Sequence, residues 1–469
     1  MIRRTKIVCT IGPASDSAEM ISRLIAAGMD VARLNFSHGT AEYQRDLIRR
    51  IKRVRRTLNK PVAILQDLQG PKIRIGVIAS GTVSLQPGQE FVLTADEVPG
   101  DAVRASVSLK TLPQEVKTGD PVLLADGNIE LRVERVHGPD IHCRIIVGGQ
   151  LSSHKGINLP ASEVHVESLT RKDRADLLIG LEEGVDAVAL SFVRSASDLM
   201  ECRRLIQDRG ADRPIIAKIE KHEAVDNIDT IVAASQAVMV ARGDLGVEID
   251  LERVPLVQKQ IIRKCNVLGK PVITATQMLQ RMVENPRPTR AEAADVANAI
   301  LDGTDAVMLS DETAAGKYPA EAVMMMDRIA RFAESSLDEL KFENIPIGTT
   351  TADAISRATY FIAKEACAAA ILTPTWSGST PCRVARFRPR QPIVATTPNH
   401  AVLDFLSLCW GVIPISISNS DSMDDVVRLS IDAARRAGYV RSGQLVVVTG
   451  GAPLGVPGNT NFIKVERVQ

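Results

Sequence analysis

Eight short, mainly apolar runs recur between residues 7 and 309, and amphipathic stretches separate most of them. The runs cover residues 7–11, 31–34, 62–65, 187–190, 215–217, 237–241, 272–275 and 306–309. Such runs are typical of strands that are buried on both faces of a parallel sheet. Helical periodicity marks residues 19–27, 199–209, 257–268 and 290–301. Eight strand-then-helix units in series predict an α/β fold of the (β/α)₈ TIM barrel type.

One interval breaks this alternation. Asp67 and Asp186 are 119 residues apart, whereas one strand–helix unit needs only about 30 residues. Within it, residues 82–85 and 90–94 alternate between apolar and polar positions, and turn residues stand at 126–128 and 138–140. These features predict an all-β domain inserted after the third barrel strand. Because active sites lie at the carboxyl ends of barrel strands, we expect the insertion to act as a lid.

The pattern changes again after residue 344. Residues 345–351 have the composition of a linker, and a predicted helix follows at 353–366. The strands predicted in this part cover residues 369–372, 393–396, 412–415 and 445–448. We therefore divide the chain into a barrel (residues 1–70 and 161–344), an inserted all-β lid (71–160) and a C-terminal α/β domain (345–469).

Composition excludes several classes of partner. The 469 residues carry a net charge of only +1, so the overall charge does not attract nucleic acid or a membrane surface. Aromatic residues make up only 3% of the chain, which leaves few side chains on which bases could stack. The basic run at residues 49–56 is interpreted as the solvated face of a barrel helix. The seven cysteines are scattered without a Cys-x-x-Cys pair, which is typical of reduced thiols. No run approaches the ~18 apolar residues of a membrane span, and we expect a cytoplasmic protein.

Polar residues follow most of the predicted barrel strands. They are Arg33, Asn35, Ser37, Asp67, Lys218, Glu220, Arg242, Gly243, Asp244, Thr276, Ser310 and Glu312. Single residues of this kind are usually turn formers. In a barrel, however, all strand ends meet at one mouth, so the set predicts a shared site.

Lys218 and Glu220 are two positions apart on a strand and therefore share a face. An exposed ion pair is the alternative, but residues 214–217 are too apolar for a surface strand. Glu220 and Asp244 suit a Mg²⁺ ion that also binds substrate oxygens. Lys218 and Arg33 suit a phosphoryl group and an oxyanion. The small residues at 241–246 place backbone N–H groups where a carboxylate can bind, while Walker A and Rossmann glycine patterns are absent.

Seven stretches, in order along the chain, resemble the pyruvate kinase family. They are TIGPAS at 10–15, RLNFSHG at 33–39, GPKIR at 70–74, IAKIEK at 216–221, ARGDLG at 241–246, ATQML at 275–279 and NPRPTR at 285–290. The resemblance covers the whole chain. It implies transfer of a phosphoryl group from phosphoenolpyruvate to ADP, giving pyruvate and ATP in the last step of glycolysis.

The resemblance also implies roles for residues at matching positions. Arg33 and Lys218 hold the phosphoryl group, and Lys218 stabilises the enolate. The backbone of Gly243 and Asp244 binds the pyruvate carboxylate, and Thr276 lies beside the methylene carbon that is protonated. Glu220 and Asp244 ligate Mg²⁺, or Mn²⁺ in its place. The positions that match nucleotide-binding residues are Asn35, His38, Arg74 and Lys155.

One position departs from much of the family. Lys72 stands where K⁺-dependent relatives carry glutamate, and Leu68 stands where they carry threonine, whereas Asn35, Ser37 and Asp67 match the residues that hold the ion. A lysine ammonium near that pocket would supply the same charge, with those oxygens as acceptors. We expect an enzyme that does not require K⁺. The alternative is that Lys72 points to solvent and K⁺ still binds.

The segment that contains Thr375, Ser377, Gly378, Ser379 and Thr380 is rich in hydroxyl groups and precedes a helix predicted from residue 381. Such a segment either binds phosphate or simply caps the helix. The resemblance implies a sugar-phosphate or nucleotide effector here, with further contacts from residues 450–458, and a homotetrameric assembly.

Two other functions remain open at this point. Another Mg²⁺-dependent barrel enzyme acting on pyruvate enolate, an aldolase or lyase, would share Glu220 and Asp244 but would not explain Lys155 and Arg74 in the lid region. A catalytically silent relative that only senses phosphorylated metabolites would have lost at least one of five residues that this chain retains. These are Arg33, Lys218, Glu220, Asp244 and Thr276.

Overall fold

Eight parallel strands close into a barrel in which each strand pairs with the next one along the chain and the first pairs with the last. The computed structural model describes residues 2–160, 162, 166–337, 342–456 and 458–469. Barrel strands 1 to 8, in chain order, are Lys6–Ile11, Val31–Asn35, Ala63–Asp67, Ala187–Leu190, Ile215–Ile219, Ala237–Ala241, Val272–Ala275 and Ala306–Leu309. The prediction of a (β/α)₈ barrel is confirmed.

Burial on both faces explains why these strands have mainly apolar sequences. In strand 5, Ile216 packs in the cluster that fills the barrel interior, while Ile215, Ala217 and Ile219 pack in the cluster beneath the outer helices. In the other strands, too, successive residues point alternately into the barrel and toward the outer helices. The residues that lie in the interior cluster therefore show which alternate positions of each strand point inward.

Helices surround the barrel. They are Ala18–Ala27, Ala41–Thr57, Arg171–Glu183, Ala196–Gln207, His222–Asp226, Ile228–Ala234, Arg242–Glu248, Val254–Leu268, Arg290–Asp302, Asp311–Ala314 and Pro319–Glu334, with 3₁₀ turns at Leu251–Arg253 and Gln280–Val283. The basic run lies on helix Ala41–Thr57, where Arg49 pairs with Glu183 and Arg55 with Asp186. Its cations thus serve neighbouring barrel elements, as expected for a helix face.

The inserted domain follows barrel strand 3 and precedes strand 4, as predicted. Its six-stranded sheet has the spatial order Ile157–Asn158, Pro121–Leu124, Ile129–His137, Asp140–Val147, Glu90–Thr94 and Arg104–Ser106. Strands Gly149–Ser152 and Thr82–Leu85 form a separate pair, and a short helix covers Leu112–Glu115. The two predicted turns connect strands of the larger sheet. The domain has its own apolar core around Phe91 and Leu131. The expected boundary at residue 161 lies outside the described residues.

The C-terminal domain contains one five-stranded sheet, in the order Val412–Ser416, Ile393–Thr397, Ala370–Pro374, Leu445–Gly450 and Phe462–Arg467. Four strands were predicted; the fifth, which pairs antiparallel at the edge, was missed because its sequence is polar and half exposed. Helices cover Thr351–Glu365, Ser379–Ala385, His400–Phe405 and Met423–Arg436, with a 3₁₀ turn at Leu406–Leu408. The seven cysteines are free thiols. Among the described residues, no helix has the length and apolar character needed to cross a bilayer.

Candidate active site

Because successive residues of a strand point alternately inward and outward, several polar side chains point into the carboxyl-terminal mouth of the barrel. Arg33 and Asn35 share the inward parity of Val31, Asp67 shares that of Leu65, and Lys218 shares that of Ile216. These polar residues near the carboxyl ends of the strands therefore point into the barrel. They lie at the same end of the barrel.

Asp67 lies between two cations. Its Oδ2 accepts a hydrogen bond from Arg33 Nε at 2.6 Å, and its Oδ1 lies 3.1 Å from Lys218 Nζ. Burial by itself would raise the pKa of this carboxyl, but the charges of Lys218 and Arg33 outweigh it and hold the pKa below its ordinary value. An ionised Asp67 thus fixes both cations, a role beyond the monovalent-ion pocket to which the sequence assigned it.

Lys218 is buried and charged. Its Nζ lies 2.9 Å from Glu220 Oε1 and donates to Ser191 Oγ at 2.7 Å. Burial acts to lower the pKa of this ammonium, but Asp67 and Glu220 together raise it above its ordinary value. Ser191 was not singled out in the sequence, although it directly follows barrel strand 4 and so fits the same pattern of strand-end polar residues.

Glu220 and Asp244 provide a pair of neighbouring carboxylates. Glu220 Oε2 accepts from the backbone N–H of Phe192 at 2.7 Å. Burial raises the pKa of Glu220, and repulsion from Asp244 adds to this against the attraction of Lys218. Asp244 has a side chain that is 29% exposed. No group of three or more His, Cys, Asp or Glu side chains that could hold a metal ion occurs in the described ranges. Mg²⁺ commonly takes one or two carboxylates from a protein and keeps waters and substrate oxygens as its other ligands.

Thr276 and Gly243 are in direct contact. The N–H of Gly243, in the first turn of helix Arg242–Glu248, donates to Thr276 Oγ1 at 2.8 Å. Thr276 has φ +67° and the next residue, Gln277, has φ +54°. Left-handed backbone is unfavourable for a β-branched residue. The structure thus brings together two residues expected to contact substrate, and it holds one of them in a strained conformation.

Lys72 lies at the carboxylate pair. Its Nζ is 3.2 Å from Asp244 Oδ1 and 3.8 Å from Asp126 Oδ1. In the part of the chain that the structure describes, no hydrogen bond or ion pair joins Lys72 to the expected pocket, which consists of Asn35, Ser37 and Asp67. Asn35 Oδ1 instead accepts from the Ser37 N–H at 3.1 Å. The ammonium thus enters the site beside the predicted metal ligand, and it does not simply point to solvent.

The four residues expected at the nucleotide form two pairs. Asn35 and His38 lie in one turn, where the His38 N–H donates to the Asn35 carbonyl at 3.3 Å. Arg74 and Lys155 lie on the two segments that enter and leave the lid, and the N–H of Ile75 donates to the Lys155 carbonyl at 3.0 Å. These two segments connect the inserted domain to the barrel, where the hinge of a lid is expected.

Glu312 does not reach the mouth as the strand-end pattern suggested. It is fully buried and accepts from the N–H groups of Leu279 at 3.0 Å and Ser310 at 2.7 Å. A buried carboxylate that caps backbone donors stabilises loops. Glu312 therefore connects the segments that follow strands 7 and 8 without facing the barrel centre.

The hydroxyl-rich segment of the C-terminal domain borders a cavity of about 210 Å³, whose walls include Thr375, Ser377, Ser379 and Thr380 together with residues 451 and 454–456. Thr375 Oγ1 accepts from the Gly378 N–H at 2.9 Å. Thr380 Oγ1 lies 2.7 Å from Thr460 Oγ1. The segment thus forms a turn at the start of helix Ser379–Ala385 and also lines a cavity, so both interpretations remain open.

Comparison with known proteins agrees with this architecture. Residues 2–323 match the family model "Pyruvate kinase, barrel domain", and residues 353–466 match "Pyruvate kinase, alpha/beta domain". The pyruvate kinase of Clostridium acetobutylicum is 45% identical over 473 residues, with both chains fully covered. That of Geobacillus stearothermophilus is 49% identical, covering all of this chain and 81% of the relative.

A solved structure of a pyruvate kinase from Cryptosporidium parvum is similar over the full chain. It has a TM-score of 0.94 and 36% sequence identity, and the match covers 96% of that protein. Matches of this extent include the barrel, the inserted domain and the C-terminal domain. The chain therefore belongs to the pyruvate kinase family.

Proposed function

We propose that this protein transfers the phosphoryl group of phosphoenolpyruvate to ADP, yielding pyruvate and ATP. The observation that carries the proposal is the buried unit in which Asp67 orients Arg33 and Lys218 beside Glu220. Phosphoryl transfer needs positioning and charge neutralisation more than a protein nucleophile. Two fixed cations at the mouth of a barrel meet that need.

The two cations act on the charge that moves during the reaction. Arg33 offers a planar set of N–H donors suited to phosphoryl oxygens. Lys218 remains protonated, so it attracts both the transferring group and the enolate oxygen that gains charge as the P–O bond breaks. The enolate carbon then takes up a proton beside Thr276. The backbone N–H of Asp244 binds the carboxylate, whereas the N–H of Gly243 is donated to Thr276 Oγ1.

Glu220 and Asp244 are proposed to hold Mg²⁺, on which the family generally depends, or Mn²⁺ in its place. Their mutual repulsion supports this assignment, since a divalent cation between them would relieve it. When bound, the ion supplies positive charge to substrate and phosphoryl oxygens. Glu220 also holds the Lys218 ammonium at 2.9 Å, which fixes the cation that would face those oxygens.

ADP is proposed to bind between Asn35 and His38 on the barrel and Arg74 and Lys155 on the hinge. This placement is supported by the hinge contacts, because closure of the lid would carry both cations toward the barrel mouth. Few aromatic residues are present in the chain, so we expect the nucleotide to be held mainly through its phosphates.

Catalysis is proposed not to require K⁺. The Lys72 ammonium already supplies a monovalent charge 3.2 Å from Asp244, and Asp67 is neutralised by Arg33 and Lys218. This differs from the sequence-based hypothesis, in which Asn35, Ser37 and Asp67 accept from the ammonium, because Lys72 instead contacts Asp244 and Asp126.

Activity is proposed to be regulated through the C-terminal cavity, where a sugar phosphate or a nucleotide would bind to the segment of residues 375–380. The cavity and its hydroxyl lining support this assignment. A cytoplasmic homotetramer is proposed from the family resemblance. Titration of sugar phosphates and AMP should shift the phosphoenolpyruvate saturation curve; an unmoved curve would contradict regulation at this site.

A coupled assay for pyruvate tests the central proposal. Pyruvate should form from phosphoenolpyruvate only when ADP and Mg²⁺ are both present, and ATP should form in equal amount. An aldolase or lyase would not depend on ADP, and a silent relative would bind phosphoenolpyruvate without turnover. Absence of ADP-dependent pyruvate would contradict the proposed reaction.

A further inference from the structure

The segment that carries Thr276 has a strained backbone at the barrel mouth. Thr276 and Gln277 both have positive φ, and Thr276 is the one β-branched residue among the described non-glycine residues that do. Such a conformation persists only where neighbouring groups hold it. Neighbouring groups must therefore hold the backbone and the hydroxyl of Thr276 in place.

Arg242 donates hydrogen bonds to two successive backbone carbonyls at the strained residue. Its Nε donates to the Ala275 carbonyl at 3.2 Å and its Nη2 donates to the Thr276 carbonyl at 2.6 Å. These are the last residue of barrel strand 7 and the strained residue itself. Because a guanidinium presents its donors in a rigid plane, two successive carbonyls held this way have a defined orientation.

Asp295 orients Arg242 from the opposite side. Arg242 Nη1 donates to Asp295 Oδ1 at 2.8 Å, and only 12% of the arginine side chain is exposed. Asp295 belongs to helix Arg290–Asp302, so a helix outside the barrel fixes the guanidinium. The residue after Arg242, Gly243, holds the Thr276 hydroxyl through its N–H. The hydroxyl itself donates to the Ala275 carbonyl at 2.7 Å. Thr276 is thus held at its carbonyl by Arg242 and at its hydroxyl by Gly243 and Ala275.

We propose that Arg242, oriented by Asp295, is a positioning residue that sets the Thr276 hydroxyl for proton transfer to the substrate carbon. This inference rests on the proposed function. In that step the carbon–carbon double-bond electrons of the enolate form a C–H bond with a proton that solvent supplies by way of the hydroxyl, and the enolate oxygen becomes the ketone oxygen of pyruvate. Arg33 serves the phosphoryl transfer and Lys218 also stabilises the enolate, and no hydrogen bond among the described residues joins either of them to Arg242.

Because Thr276 is proposed to act only in the proton transfer, loss of Arg242 should slow that half-reaction more than the phosphoryl transfer. Misplacement of a reacting group by about 1 Å can cost 10²-fold in rate. In Arg242→Gln we expect exchange of the pyruvate methyl hydrogens with D₂O to slow at least tenfold, while the KM for phosphoenolpyruvate changes less than about twofold. Arg242→Lys should recover only part of the exchange, because lysine cannot hold two carbonyls in one plane.

The experiment follows methyl exchange by ¹H NMR with the intact enzyme, Mg²⁺ and ATP, beside steady-state kinetics. Arg263→Gln, on the exposed face of helix Val254–Leu268, is the matched control and should behave as the unchanged protein. If Arg242→Gln does not fold, Asp295→Asn provides the second variant and should slow exchange in the same direction by a smaller factor.

The outcomes separate this inference from the proposed function. Unaltered exchange in Arg242→Gln, or equal losses in exchange and in substrate affinity, would overturn the positioning role while the unchanged protein still makes ATP. Absence of ADP-dependent pyruvate in the unchanged protein would instead contradict the proposed function itself.

Discussion

The ammonium of Lys72 lies 3.2 Å from Oδ1 of Asp244, one of the two carboxylates proposed to hold the divalent ion. A positive charge from the segment that enters the lid therefore lies beside the proposed metal site. Its other acidic neighbour, Asp126, belongs to the lid and is 3.8 Å away. Lys72 thus connects the barrel mouth and the lid electrostatically.

Replacing Lys72 by glutamate should create a requirement for K⁺. The substitution would place a third carboxylate beside Asp244 and Asp126, and a monovalent cation would then be needed to offset the repulsion. The measurement is turnover with tetramethylammonium as the sole monovalent cation, with and without K⁺. The unchanged protein should be active under both conditions. Lys110→Glu, at an exposed lid position, is the control and should not gain K⁺ dependence.

Two outcomes would contradict this prediction. Loss of activity of the unchanged protein in tetramethylammonium would show that K⁺ is required despite Lys72. Equal activity of Lys72→Glu with and without K⁺ would show that the charge at this position does not matter.

Substitution of Lys218 by methionine should lower turnover by about 10²-fold or more, because the charge that stabilises the transferring group and the enolate is lost. The same change leaves the carboxylates of Asp67 and Glu220 without their shared cation. Turnover should therefore be normalised to the folded fraction measured by circular dichroism. Lys117→Met, on the exposed surface of the lid, is the control, and near-normal turnover in Lys218→Met would remove this residue from the mechanism.

Stability at acid pH should depend on Asp67. Its pKa is lower in the folded protein than in the unfolded chain, where an aspartate titrates at about 3.9. The resulting stabilisation is therefore fully present above pH ~4 and is lost as the pH falls through the folded-state pKa. Calorimetric Tm values between pH 7 and 3 should fall less steeply for Asp67→Asn than for the unchanged protein. Asp212→Asn, in an exposed loop, should reproduce the original slope; an unchanged slope in Asp67→Asn would be inconsistent with the assignment.

Glu248 should control the opening of the lid hinge. This buried carboxylate accepts from Asn158 Nδ2 at 2.8 Å and pairs with Lys221 Nζ at 2.8 Å, so it joins the last lid strand to the barrel. In Glu248→Gln an amide would face the Lys221 ammonium without pairing its charge. The free energy of local opening should then fall by about 1–3 kcal/mol, seen as faster backbone hydrogen exchange in residues 153–158. Glu252→Gln, exposed in the adjacent turn, is the control; equal exchange in both variants would argue against this role.

Much of the fold follows from local sequence because double-sided burial leaves a strong pattern. Four of the predicted runs coincide with barrel strands residue for residue, at 187–190, 237–241, 272–275 and 306–309. The edge strand Phe462–Arg467 was not predicted because few of its positions are buried, so its sequence carries no clear apolar pattern. The domain boundaries remain predictions, and that at residue 161 lies outside the described residues.

The candidate site was predictable as a set of residues but not as a network. Strand parity alone placed Arg33, Asp67 and Lys218 on inward faces. Ser191 directly follows a barrel strand, so its position at a strand end could have indicated it. Glu312 also follows a strand, but its carboxylate accepts from backbone N–H groups.

The sequence by itself determined the barrel, the inserted domain and the residues that enter the mouth, because periodicity and burial are local properties of a strand. Only the tertiary structure decided which charges pair. Lys72 and Asp244 are 172 positions apart, and their contact depends on where the lid leaves the barrel. The hydrogen bond from Arg242 to Thr276 depends in the same way on the pairing of barrel strands 6 and 7. The spacing of the two strand ends sets the geometry of this hydrogen bond, and the composition of either strand does not.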